Sequence, residues 1–143
     1  MIDKINPIFL TLIITVVLGQ LIKVIIFYIK SKRTHLKDFV ATGGMPSTHC
    51  ATTAGLSTII YLTEGTTTAF YIALALTVII IVDALGVRRT AGEEGQILHQ
   101  LVKKTKLKIR EPYYSMGHTP SQVIAGLIFG VVVGIVVNCG LRY

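Results

Sequence analysis

Four stretches of this 143-residue chain, at about 7–29, 46–62, 67–87 and 119–139, are apolar over about 17 to 23 residues each. A helix of that length crosses the hydrocarbon core of a bilayer. Lipid offers no hydrogen-bond partners, so each stretch must satisfy its own backbone and is predicted to be helical. The fold class expected is therefore all-α, a polytopic four-helix membrane bundle forming one domain over 1–143. The second stretch is the shortest and is rich in Thr and Ser, whose hydroxyls can bond back to their own helix, so it too reads as a buried span. The first run is too long for a signal h-region and no small-residue cleavage site follows it, so no cleaved leader is expected.

Charge gives this bundle an orientation. The chain is 52% hydrophobic with only 15% charged residues, yet its net charge is +7. The excess sits in two connections: Lys30, Lys32, Arg33 and Lys37 in the first, and Arg88 through Arg110 in the third. The positive-inside rule places both in the cytoplasm and both termini outside, in a protein expected to reside in the plasma membrane of a prokaryote. No basic patch is interleaved with aromatic residues, so no nucleic-acid partner is expected. Cys50 and Cys139 then lie near opposite faces and do not pair.

Within the third connection, "TAGEEGQILHQLVKK" places Ile97, Leu98, Leu101 and Val102 on one side, as a short interfacial helix ending near Lys104. Pro112 breaks it. In the last span Gly126, Gly130 and Gly134 recur at a spacing of four and lay a smooth groove for another helix backbone. That groove suits a second copy of the chain, in a homodimer, as well as an internal partner.

Polar residues gather at the cytoplasmic ends of all four spans. Lys23 lies inside an apolar run about two turns before Lys30, with Gln20 on the same face, and an intramembrane cation usually faces a polar interior. "GGMPSTH" sets Ser47 and His49 at a helix start, where Pro46 suits the first turn and free N–H groups favour an anion. Asp83 precedes Arg88 and Arg89, whose forked guanidinium groups match paired phosphoryl oxygens. "GHTPSQ" sets His118 before a helix that Thr119 can cap, with Pro120 at its first position. Gln122, four residues on, can reach back to a ring nitrogen of His118 and fix its tautomer. Two imidazoles, several cations and two helix N-termini on one face are what metal-free phosphoryl transfer needs.

These residues resemble the type 2 phosphatidic acid phosphatase and vanadium haloperoxidase superfamily. Its motifs are Lys-x6-Arg-Pro, Pro-Ser-Gly-His and Ser-Arg-x5-His-x3-Asp. Here they correspond to "KVIIFYIKS" from Lys23, to "PSTH" from Pro46, and to a split third motif, "DALGVRR" from Asp83 and "HTPSQ" from His118. The set looks like a divergent branch of small membrane proteins within that superfamily. The resemblance implies His118 as nucleophile, His49 as proton donor to the leaving group, and Gln122 as the group orienting His118. It further implies that Lys23 or Lys30, with Arg88 or Arg89 and Ser47, holds phosphate oxygens, and that no metal or other cofactor takes part. Four departures stand out: Lys30 for Arg, Ser31 for Pro, Gln122 for Asp, and about thirty residues between Arg and His.

The leading expectation is a lipid-phosphate phosphatase at the cytoplasmic leaflet, acting on phosphatidylglycerophosphate, phosphatidic acid or a prenyl diphosphate. A non-catalytic binder of anionic lipid, or a transport component that keeps the phosphate pocket, is the alternative that Gln122 keeps open. A metal site built from Asp83, Glu93, Glu94 and His99 matches no known ligand spacing.

Overall fold

The computed structural model describes residues 6–31, 44–105 and 117–141. These form five helices: α1 (Pro7–Ser31), α2 (Thr48–Glu64), α3 (Thr68–Leu85), α4 (Val87–Thr105) and α5 (Pro120–Leu141). No strand occurs among the described residues. α1, α3 with its continuation into α4, and α5 are long and apolar enough to cross a membrane. α2, at 17 residues, is shorter and less apolar, and it forms the centre of the bundle, packed against α1, α3 and α5. The backbones of α1 and α3 do not approach one another closely, and α2 floors the gap between them.

The side chains are distributed inside out. α1 buries Thr11, Thr15, Gly19 and Lys23, a stripe at a spacing of four, while Val17, Leu21, Ile25 and Tyr28 point outward. α3 buries Ala73, Thr77 and Ala84 and exposes Ile72, Ile79 and Val82. In lipid, apolar side chains gain nothing by facing inward, and helices associate through small residues that let backbones approach. Most hydroxyls buried along the helices are satisfied locally, those of Ser47 and Thr48 excepted. Thr11 Oγ1 donates to the Pro7 carbonyl and Thr15 Oγ1 to that of Thr11, each at 2.8 Å. Ser57 Oγ and Thr77 Oγ1, 3.0 Å apart, join α2 to α3.

The glycine groove of α5 is occupied by α2 of the same chain. A Cβ on Gly126 would overlap the Ser47 carbonyl oxygen, and one on Gly130 the Ala51 carbonyl oxygen. On Gly134 it would meet Thr58 Cβ at 2.9 Å. These contacts step along both helices in the same direction, so the N-termini of α2 and α5 lie at one end of the bundle. α2 also meets α1, in antiparallel sense: Gly55, which lies against α5 as well, faces Thr11 and Thr15, while Gly19 faces Thr48. That register brings Lys23 level with the start of α2.

Two boundaries differ from expectation. α2 begins at Thr48, with Ser47 as an extended N-cap, so Pro46 precedes the helix and does not occupy its first turn. The Ser47 N–H is taken by the Gln122 carbonyl at 3.0 Å, which holds Ser47 out of the helix. α4 begins at Val87, one residue after α3 stops at Gly86, whose N–H caps the Val82 carbonyl at 2.8 Å. Arg88 and Arg89 thus lie in the first turn of α4. Cys50 is buried and Cys139 exposed, both as free thiols. The loop cations Lys32, Arg33, Lys37, Lys106, Lys108 and Arg110, and Pro112 with them, lie outside the described residues.

Candidate active site

One end of the bundle collects residues from all five helices. α2 supplies His49 in its first turn, and Ser47 just before it. α1 supplies Lys23, which is buried although charged. α3 ends with Asp83, whose carboxylate accepts a hydrogen bond from Arg88 Nε in the first turn of α4. His118, buried two residues before α5, completes the group. Its ring lies within electrostatic reach of Lys23, His49 and Arg88. His49 in turn feels the charges of Arg88, Lys23 and Asp83.

Gln122 ties this end together. Its side-chain Oε1 lies 3.2 Å from His118 Nδ1 and accepts the Thr119 N–H at 3.1 Å. An atom that accepts from a backbone N–H is the amide oxygen, so His118 Nδ1 must be the protonated nitrogen. The neutral ring then carries its free lone pair on Nε2. Through its backbone carbonyl the same residue holds Ser47, so one residue sets the position of both helix starts.

Gly117 brings His118 to the arginines. A side chain there would overlap the backbone of Arg89, so only glycine permits the approach. The two arginines diverge. Arg88 turns to Asp83, whereas Arg89 Nε donates to Glu93 Oε1 at 3.0 Å, four residues along α4, and is half exposed. Asp83 and Glu93 are thereby engaged in separate ion pairs. Lys30 falls in the last turn of α1, and its side chain lies outside the described residues.

Among the described residues, two cavities bear on where the site lies. The larger, 440 Å³, runs between α2, α3 and α5, carries no charged side chain and is lined by apolar residues such as Leu74, Val78 and Leu127. It is remote from the histidines. The smaller, 320 Å³, lies in the gap between α1 and α3 over the start of α2. Lys23 and His49 line it with Gln20, Thr48, Thr52 and Thr53. Reading the sequence singled out Gln20 but missed the threonines. The signal was present: 48, 49, 52 and 53 share one face of a helix. Gly117, adjacent to a histidine already noticed, was likewise missed.

The profile of the family described as divergent PAP2 matches residues 5–133. The chain belongs to the divergent PAP2 family. The family is the one that the three motifs resemble, and the match runs from the start of α1 well into α5. The chain is also similar to the "Uncharacterized membrane protein YuiD" of Bacillus subtilis (strain 168), 31% identical over 140 residues, covering 85% of this chain and 87% of the relative. No solved structure matches. This divergent PAP2 chain is thus a membrane protein whose polar end is built from the segments that carry the family motifs.

Burial holds the divergent PAP2 His118 below the ordinary imidazole value of 6.5; the Gln122 hydrogen bond opposes this, while Lys23, His49 and Arg88 add to it. The folded protein therefore takes up this proton at lower pH than the unfolded chain. Stability linked to His118 is complete above pH 6.5 and declines as pH falls from there through the lower folded pKa. A thermal melt in detergent is expected to shift down over that acid window, and His118→Gln is expected to flatten the dependence.

Proposed function

We propose that this divergent PAP2 protein is a metal-independent phosphatase of membrane lipid phosphates, working through a phosphohistidine. The observation that carries the reading is the gathering of these groups at one end of the bundle: Lys23 and His49 line one cavity, Gln122 bonds His118 and holds Ser47 beside His49, and Gly117 rests on the Arg88–Arg89 backbone. His118 Nε2 attacks phosphorus in line with the ester oxygen, forming the N–P bond as the P–O bond breaks. His49 gives its proton to the departing alkoxide. It then takes a proton from water, whose oxygen displaces the imidazole and releases inorganic phosphate. Lys23, Arg88 and the uncapped N–H groups at the start of α2 stabilise the charge that spreads over the phosphoryl oxygens. Substrates of this class are phosphatidylglycerophosphate, phosphatidic acid and prenyl diphosphates. The charge of the connecting segments favours the cytoplasmic leaflet.

Purified protein in vesicles doped with these lipids is expected to release phosphate, and vanadate, which adopts the five-coordinate geometry of the transferring group, is expected to inhibit. Absence of release from every lipid phosphate would reject the reading. The arginines provide a graded check. Arg88→Ala is expected to lower kcat/KM by about 10²- to 10³-fold, as loss of a charge-stabilising donor does. Arg89→Ala is expected to stay within about threefold, since its exposed ion pair contributes little. Equal effects would contradict the assignment of Arg88 to the phosphate.

A second reading is favoured by Gln122. A neutral amide stabilises an imidazolium less than the carboxylate usual at that position. A protein that binds lipid phosphate without turnover would fit the same cradle. Binding of phosphatidic acid vesicles with no phosphate release would select it.

A further inference from the structure

The cavity beside His49 holds polar groups that the phosphoryl chemistry does not use. Gln20 Oε1 and Thr48 Oγ1 are shielded from solvent and have no hydrogen-bond partner, and Thr48 is 6% exposed. Both residues line the 320 Å³ cavity. Thr52 Oγ1 donates to the Thr48 carbonyl at 2.8 Å and Thr53 Oγ1 to the His49 carbonyl at 3.1 Å. Their hydroxyl hydrogens are spent, so toward the cavity they offer lone pairs. The wall is consequently rich in acceptors, with Lys23 as its cation and Val16 and Ile80 as apolar flanks. Gln20 Oε1 is a buried acceptor without a donor and Thr48 Oγ1 a buried hydroxyl without a partner of either kind, so the cavity calls for a ligand that brings O–H groups.

We propose that this cavity is a subsite for a hydroxylated alcohol attached to the phosphate, with Gln20 and Thr48 as its specificity-determining residues. The subsite rests on the phosphatase reading for its catalytic meaning, because His49, the proton donor to the leaving group, forms part of its wall. A glycerol unit carrying a free hydroxyl supplies a donor for Gln20 Oε1 and a partner for the Thr48 hydroxyl. An ester-capped diacylglycerol brings only acceptors, and a prenyl alcohol brings neither. The volume is at the small end of ligand sites, about 300–1,000 Å³, which suits a headgroup and not a chain. Among phosphomonoester lipids the cavity therefore selects those whose leaving group ends in a glycerol hydroxyl.

Two soluble probes with the same carbon chain test this on the purified full-length protein. sn-Glycerol 3-phosphate carries the hydroxyls and propyl phosphate lacks them. Thermal unfolding in detergent is expected to give about tenfold tighter binding for glycerol phosphate, the size of one well-placed hydrogen bond in a buried site. Gln20→Leu and Thr48→Val are each expected to remove that preference, while Thr48→Ser retains it. Should one variant not fold, the wild-type comparison and the other variant decide. Equal binding of the two probes to the wild-type protein, as when the cavity holds only water, overturns the proposal. So does a preference that survives both Gln20→Leu and Thr48→Val, or a wild-type protein that binds neither probe. A hydroxyl preference without phosphate release from lipids would instead sustain the subsite and reject the phosphatase.

Discussion

Replacing His118 with alanine is expected to reduce phosphate release from lipid phosphates by at least about 10³-fold, the scale on which removal of a covalent nucleophile acts. Binding of anionic lipid should fall far less, because Lys23, Arg88 and the start of α2 remain. The geometry makes the expectation specific. Gln122 Oε1 engages Nδ1 at 3.2 Å, so the nitrogen left to attack is Nε2. His118→Asn preserves the chance of a bond to Gln122 but has no nucleophilic nitrogen, and it should be as inactive as His118→Ala. An acid-labile phosphoryl group trapped on the wild-type protein and missing from both variants would close the argument. Turnover in either variant comparable with wild type would remove the phosphohistidine mechanism.

The second large effect concerns folding. Gly130→Val is expected to destabilise the protein by about 3 kcal/mol or more, at or beyond the usual overpacking range. A Gly-to-Ala change within a helix normally favours folding by about 0.5–1 kcal/mol, but here steric overlap decides the sign. The atom in the way is the Ala51 carbonyl oxygen of the facing backbone, and the Gly55 nitrogen lies 2.9 Å from the same Cβ position. Neither can rotate aside as a side chain would. Val136→Ala on the outer face of the same helix, where the residue is 62% exposed, should change stability by less than about 0.5 kcal/mol. Thermal unfolding in detergent, with gel filtration to report folded material, compares the two. A Gly130→Val protein that melts like wild type would show that α5 does not rest on α2 as described.

The extent to which the sequence disclosed this arrangement varied by helix. The apolar runs located α1, α3 and α5 because length and composition alone determine what can cross a bilayer. The repeat of Gly126, Gly130 and Gly134 announced a packing face because glycine has no other reason to recur there. Its counterpart on α1, Thr11, Thr15 and Gly19, was overlooked, since threonine on an apolar helix reads as incidental until a facing glycine is known. The start of α4 was placed too late. The sequence reading begins this helix at Thr90, yet nothing after Gly86 prevents "VRRTAGEE" from continuing as a helix, and arginine, alanine and glutamate favour one. The choice between Arg88 and Arg89 was open in the sequence because adjacent residues on a helix point about 100° apart, and only the position of Asp83 and Glu93 resolves which way each turns.

The contact between Gly117 and the Arg88–Arg89 backbone has a topological consequence. The chain leaves this point at the beginning of α4, and Gly117, just ahead of His118, lies against it again. In the wider superfamily a five-residue bridge joins the corresponding arginine and histidine. Here Arg88 and His118 stand nearly thirty residues apart in sequence, and the packing of Gly117 against the Arg88–Arg89 backbone closes that distance. The two segments are therefore joined by a backbone contact and not by closeness along the chain.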